Sequence, residues 1–200
     1  MNDAWSLAAV VEHHVIRILG MPSGRGSVNF LGAPPIEVLR FGPGHDGVVR
    51  YATVGMARVP MGDPSALLVA TRGPRAELVL SLRGAHDTVL RRLAALAASP
   101  GVDGLVLDAG AAIDLGEPLW EGAPFSAALL GQPGGLLEDL PVHGDAPVRF
   151  FPVLPMTANE AAWKRAHGAA ALEAAWLAAG TDLRDPQRRE VRLVRGTDRA

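Results

Sequence analysis

The order of helical and strand-like segments most restricts what this 200-residue chain can fold into. Three stretches with helical periodicity are separated by groups of short β-branched runs. Strict strand–helix–strand alternation is missing, so a doubly wound parallel sheet does not fit and an α+β arrangement does. The first stretch, Trp5 to Leu19, sets Leu7, Val10, Val11, His14, Ile18 and Leu19 on one face. Asp3 is its expected N-cap, and Gly20 followed by Met21-Pro22 its stop. A second helix is expected from an Asp87 cap to about Ala98, ended by Ser99-Pro100-Gly101. The third opens on the capping box Thr157-Ala158-Asn159-Glu160 and runs to about Ala179, where Gly180 stops it.

Glycine (23) and proline (16) fill about a fifth of the positions and cut the remainder into short strands and turns. After a Gly/Ser-rich loop from Ser23 to Ser27, strands are expected at Val28 to Leu31, Ile36 to Phe41 and Val48 to Met56. Pro60 to Pro74 reads as loop with a short strand at Ala66 to Ala70, and Glu77 to Leu82 as a strand. Further candidates are Gly104 to Asp108, Ser126 to Leu130 and Val148 to Leu154, the last interrupted by Pro152, which favours an edge or a bulge. The charged tail allows a short helix near Pro186 to Val191. No internal repeat or long linker divides the chain, which points to one domain over residues 1–195.

Several function classes fall away on composition. There is no cysteine, so disulfides, thiolate nucleophiles and Cys-type zinc sites are excluded. No apolar run approaches the ~18 residues of a membrane span. Asp3, Glu12, His13 and His14 stand where a signal peptide needs apolar residues, so a cytoplasmic protein is expected. The net charge of −2 gives no reason to expect nucleic acid or membrane as a partner. Its distribution is uneven. Between Arg92 and Arg149 there is no Lys or Arg, while Asp103, Asp108, Asp114, Glu117, Glu121, Glu138, Asp139 and Asp145 give that stretch a charge of −8.

Motifs for catalysis are weak. Gly42-Pro43-Gly44-His45-Asp46-Gly47 matches G-x-G-x-x-G, but Val48-Val49-Arg50-Tyr51 follows as a strand, not a helix, so the glycines belong to a hairpin and no nucleotide site is expected. His13 and His14 are adjacent and cannot chelate together, and His14 on the apolar stripe reads as a hydrogen-bonded core histidine. His45, His86, His143 and His167 are scattered, which gives no metal site. No G-x-S-x-G occurs. Asp108 and Asp114 read as solvated loop carboxylates, and helix capping accounts for Glu160. A strand ending in Val54-Gly55-Met56 points either to a bulge or to a close approach of backbone to something else.

The order of these segments resembles the suppressor-of-fused (SUFU) domain family. The resemblance is carried by the N-terminal helix with His14 before Leu19-Gly20 and by Tyr51-Ala52-Thr53-Val54-Gly55-Met56 at a Thr/Ser-x-Gly-hydrophobic strand. It continues in Arg75-Ala76-Glu77-Leu78-Val79-Leu80 at a Glu-Leu strand, the helix from Asp87, and Gly104 to Leu119. Val148 to Leu154 with Pro155-Met156-Thr157 and Glu160, then Asp182 to Arg188 at a closing Asp-Pro-x-x-Arg, complete it. The resemblance implies an α+β domain with a twisted mixed or antiparallel sheet packed with helices, no enzymatic activity and no cofactor. Thr53, Gly55, Met56, Glu77 and Glu160 then become its structural motif residues. It also implies protein binding, and for bacterial relatives a proposed role as immunity proteins against polymorphic toxins.

The expectation is therefore a non-enzymatic protein-binding domain whose partner is a basic protein, such as a toxin domain. If Asp108, Asp114, Glu117 and Glu121 gather around Trp120, they form an acidic rim with an aromatic anchor. A second mode is strand addition at an open sheet edge. The alternatives are a hydrolase-type site assembled from distant Asp, Glu and His, and a scaffold without a dedicated ligand.

Overall fold

Leu7 to Leu19 form helix α1 in the computed structural model, which describes residues 6–31, 33–62 and 72–193. The Ser6 hydroxyl caps it by accepting from the Ala9 N–H; the expected Asp3 cap, like the expected strand at Ala66 to Ala70, lies outside the described residues. Ala8, Val11, His14 and Val15 face inward, while Leu7, Val10, Ile18 and Leu19 are only half-buried.

The strands are β1 (Gly24–Phe30), β2 (Ala33–Phe41), β3 (Val48–Val54), β4 (Arg75–Arg83), β5 (Ala112–Asp114), β6 (Phe125–Leu130) and β7 (Val148–Thr157). They build one seven-stranded sheet in the order β1-β2-β3-β4-β7-β6-β5. Every neighbouring pair is antiparallel except β4 with β7. Helix α2 (Val89–Asp103) covers one face, where Leu93, Ala94 and Ala97 meet Leu78, Leu80, Leu82 and Tyr51. On the other face α1 packs against Leu39, Phe41, Val79 and Phe150. Helices α3 (Ala158–His167) and α4 (Ala169–Ala178) pack through Ala161, Leu172 and Trp176 on Ala127, Leu129 and Met156 of β6 and β7. The fold is α+β with a mixed sheet.

Several local readings are corrected by tertiary context. The Gly/Ser-rich run from Ser23 to Ser27 is mostly β1: its register with β2, Gly24 opposite Arg40 to Ser27 opposite Glu37, continues the pairing of Val28 with Ile36. Helix α2 does not stop at Ser99-Pro100-Gly101. Proline deprives the Leu96 carbonyl of its helical partner, and the Ser99 hydroxyl donates to that carbonyl instead at 2.8 Å. Ser99→Ala is therefore expected to cost about 1 kcal/mol in urea unfolding. Gly104 to Asp108 forms no strand. The third helix is two helices, because Gly168 at φ 88° turns the chain between α3 and α4. Pro186 to Val191 forms no helix; its groups are drawn inward by Glu160, as shown below.

Pro152 lies in a central strand, not at an edge. Residues 148–152 of β7 pair with β4 and residues 153–157 pair with β6, so the missing N–H falls where the strand changes partner. Beyond that point β4 and β7 diverge, and the segment from Asp182 covers the gap, with the Arg83 N–H donating to the Arg184 carbonyl.

Candidate functional site

The Tyr51 to Met56 segment explains its glycine. After β3 the chain enters a single 3-10 turn, Met56–Arg58, with Gly55 at φ 124°. A Cβ on Gly55 would stand 2.9 Å from the Pro35 carbonyl oxygen, so the close approach foreseen in the sequence is to the chain's own backbone. Glu77 on β4, fully buried, holds the start of this turn. Its Oε1 accepts from the Gly55 and Ala57 N–H groups at 2.8 and 3.1 Å, and its Oε2 from the Thr53 hydroxyl at 2.6 Å. The Thr53 oxygen in turn accepts from the Leu78 N–H. Burial pushes the Glu77 carboxyl above the ordinary glutamate range, against the pull of Thr53 and the turn amides. Arg75, two residues earlier, holds the other end, donating to the carbonyls of Ala57 and Arg58 and to Asp145.

Glu160 is the second fully buried carboxylate. The capping box is present, with the Thr157 N–H donating to Oε2 and Thr157 Oγ1 accepting from the Glu160 N–H. The same carboxylate receives both terminal nitrogens of Arg188 at 2.7 and 2.8 Å, the Trp176 indole N–H and the Val191 N–H. Burial pushes Glu160 up, but Arg188, Thr157 and Trp176 outweigh it and hold it below the ordinary value. The Arg188 guanidinium stacks over Phe125 at 4.6 Å. His14 is likewise internal: Arg17 can only donate to its Nδ1, so its Nε2–H donates to the Glu138 carbonyl.

The expected acidic rim is placed differently. Asp108, Asp114, Glu117 and Glu121 are all exposed. Asp108 is paired with Arg149 at 3.0 Å and Glu117 with Arg92, so both are partly neutralised. Asp114 ends β5 and takes the Gly116 N–H of its own loop. Trp120 is only 5% exposed and packs between His86 and Phe125, so it is not a protruding anchor. Its reachable edge, with Glu121, lines a shallow groove of about 400 Å³ shared with His86, Gly122, Pro124, Pro186 and Gln187. The structure thus brings Trp120 and Glu121 together in one groove and leaves Asp108 outside it. Thr53, Gly55, Met56 and Glu77 form a group of their own, and Glu160 belongs to another.

The sequence reading gave no role to Arg75 and Asp145. A polar residue two positions before Glu77 on a buried strand was the available signal. Among the described residues no group of three or more His, Asp or Glu side chains is arranged to hold a metal ion. No helix among them is long and apolar enough to cross a membrane.

These features define an α+β domain in which the two fully buried carboxylates among the described residues, Glu77 and Glu160, are occupied by the chain's own donors. The chain belongs to the suppressor of fused protein (SUFU) family, whose model matches residues 32–189. The fold is similar to the crystal structure of a SUFU homolog from Neisseria gonorrhoeae, with a TM-score of 0.71 at 20% identity over 97% of this chain and 100% of that one. It is also similar to a chain of the Sufu-Fu complex, with a TM-score of 0.64 at 13% identity, covering 93% of this chain and 91% of that one. Drosophila Suppressor of Fused matches with a TM-score of 0.62 at 13% identity over 93% of this chain; the match covers 51% of the Drosophila chain. No curated protein matches the sequence.

Proposed function

We propose that this chain is a non-catalytic protein-binding domain over residues 1–195, acting as an immunity protein that occludes a basic toxin domain. The observation that carries the reading is the state of the acidic stretch. Seven of its eight carboxylates are exposed, and among these Asp103, Asp114, Glu121, Glu138 and Asp139 form no ion pair with the described residues. Unpaired surface carboxylates do little for stability but raise the encounter rate with a positively charged partner. The family contains a member crystallised with a protein, in the Sufu-Fu complex, which supports binding of a polypeptide here.

The test is a binding measurement with a protein captured on the tagged chain and then purified. Asp114→Lys with Glu121→Lys is expected to slow association about tenfold at low salt, with the difference shrinking at high salt. Association insensitive to both salt and charge reversal would remove the electrostatic reading. A second mode is supported by the outer strand β1, seven residues without proline at the sheet edge. Strand addition there predicts little effect of charge reversal and a large effect of proline introduced at Ser27.

A further inference from the structure

The two edges of the sheet are finished differently. Strand β5 is three residues long, which leaves little backbone open to pairing. Strand β1 is seven residues long, holds no proline and alternates throughout: Arg25, Ser27 and Asn29 are exposed, while Gly24, Gly26, Val28 and Phe30 are half-buried. In the irregular step of its pairing, from Val28–Ile36 to Phe30–Ala33, the extra residue is on β2, so β1 itself runs regularly. Its outward N–H and C=O groups form an unguarded row. The one charge on the strand, Arg25, is taken by Glu12 and Glu37 of the same chain.

The residues of β1 are complementary to themselves. Antiparallel pairing about a two-fold axis keeps every side chain on its own face of the sheet. With the axis through Ser27, the midpoint, Arg25 meets Asn29, Gly26 meets Val28 and Gly24 meets Phe30. No like charges are opposed, and each bulky apolar residue falls beside a glycine with no side chain to obstruct it. Aromatic cover of a strand glycine is itself a stabilising pair. The chain alone gives no reason for glycine at position 26: a Cβ there would make only ordinary contact with Leu90 at 3.5 Å. Val28, Phe30 and Leu90 are meanwhile left only partly buried.

We propose that β1 is a self-association surface, at which a second copy of this chain adds its own β1 antiparallel with Ser27 facing Ser27. This occupant differs from the foreign strand considered above, and the acidic-surface reading does not depend on it.

The chain holds no cysteine, so single cysteines can report the register. Ser27→Cys is expected to form a disulfide-linked dimer under mild oxidation, because directly opposed Cα atoms stand about 4.5–5.5 Å apart, within disulfide reach. Asn29→Cys sets its thiols about 14 Å apart along the pair and is expected to cross-link at least about tenfold more slowly. In sedimentation, wild type is expected to be a concentration-dependent dimer. Ser27→Glu opposes like charges on the axis and should weaken association at least about tenfold, and mixing it with Ser27→Lys should restore it. Ser27 and Asn29 are exposed, so these variants keep the fold, with melting curves like that of wild type. A wild-type chain that stays monomeric at every concentration overturns the proposal. So does a dimer insensitive to Ser27→Glu, or a Ser27→Cys chain that cross-links no faster than Asn29→Cys. A monomeric wild type whose captured protein partner is lost on introducing proline at Ser27 would assign the edge to a foreign strand instead.

Discussion

Replacing Arg188 with methionine is expected to lower the stability of the fold by roughly 3–5 kcal/mol. Arg188 and Glu160 are 4% and 0% exposed and share two hydrogen bonds, so removing the cation leaves a carboxylate in the interior with nothing to balance its charge. Methionine keeps only the unbranched stem; the guanidinium that lies over Phe125 and Trp176 goes with the charge, so the loss includes both ring contacts. At about 2–4 °C per kcal/mol for a chain of this size, the melting temperature should fall by roughly 6–20 °C. The pH dependence gives a second readout. In wild type Glu160 is held below the ordinary value of 4.5. The stability it contributes is therefore fully present above that pH and is lost as pH falls through the lowered value. In Arg188→Met the chief counterweight to burial is gone, so the gap between variant and wild type should narrow on acidification below about 4.5. A melting temperature equal to wild type at neutral pH would mean that the pair does not hold α3 to the tail.

Glu160 also shows how far the sequence could be read. Its role as a helix cap follows from local spacing, because the Thr157 and Glu160 groups meet within one turn. Its pairing with Arg188 is 28 residues away and depends on where the tail crosses the sheet, which no local pattern encodes. The same division runs through the fold. Strands β3, β4 and β6 were legible as short apolar runs buried on both faces, while the inner face of α1 was only partly legible: Val11 and His14 face inward, but Ala8 and Val15 complete that face in place of Leu7, Val10, Ile18 and Leu19. Strand β1 was partly hidden because glycine and serine carry no hydrophobic signal, and its pairing with β2 decides its conformation. Pro100 was misleading for a related reason: a neighbouring hydroxyl can replace the lost amide bond, and the rule for proline assumes none does. On the surface, charge counting found the carboxylates but not their partners. Arg92 and Arg149, the residues that bound the cation-free stretch, turn back to neutralise Glu117 and Asp108. Trp120, read as an anchor, was claimed by the core under α2.

Glu77→Ala is expected to destabilise the protein by at least about 3 kcal/mol, because it strands the Thr53 hydroxyl and the Gly55 and Ala57 N–H groups in a buried site. Local hydrogen exchange should show it first, as faster exchange at Gly55 and Ala57 than at the centre of β4. Glu77→Gln should cost much less. Its carbonyl can take the turn amides and its NH₂ can face the Thr53 oxygen, while the burden of burying a charge disappears. The two carboxylates then oppose one another in pH. Because burial raises Glu77, its contribution is fully present below the ordinary 4.5 and is lost as pH rises through the raised value, the reverse of Glu160. Wild type should therefore lose a component of stability between acid and neutral pH that Glu77→Gln does not lose. Parallel melting curves for the two proteins across that range would show that Glu77 titrates in the fold as it does in the unfolded chain. The hydrogen bonds from Thr53, Gly55 and Ala57 would then balance its burial, and the turn would be held by a group ionised at neutral pH.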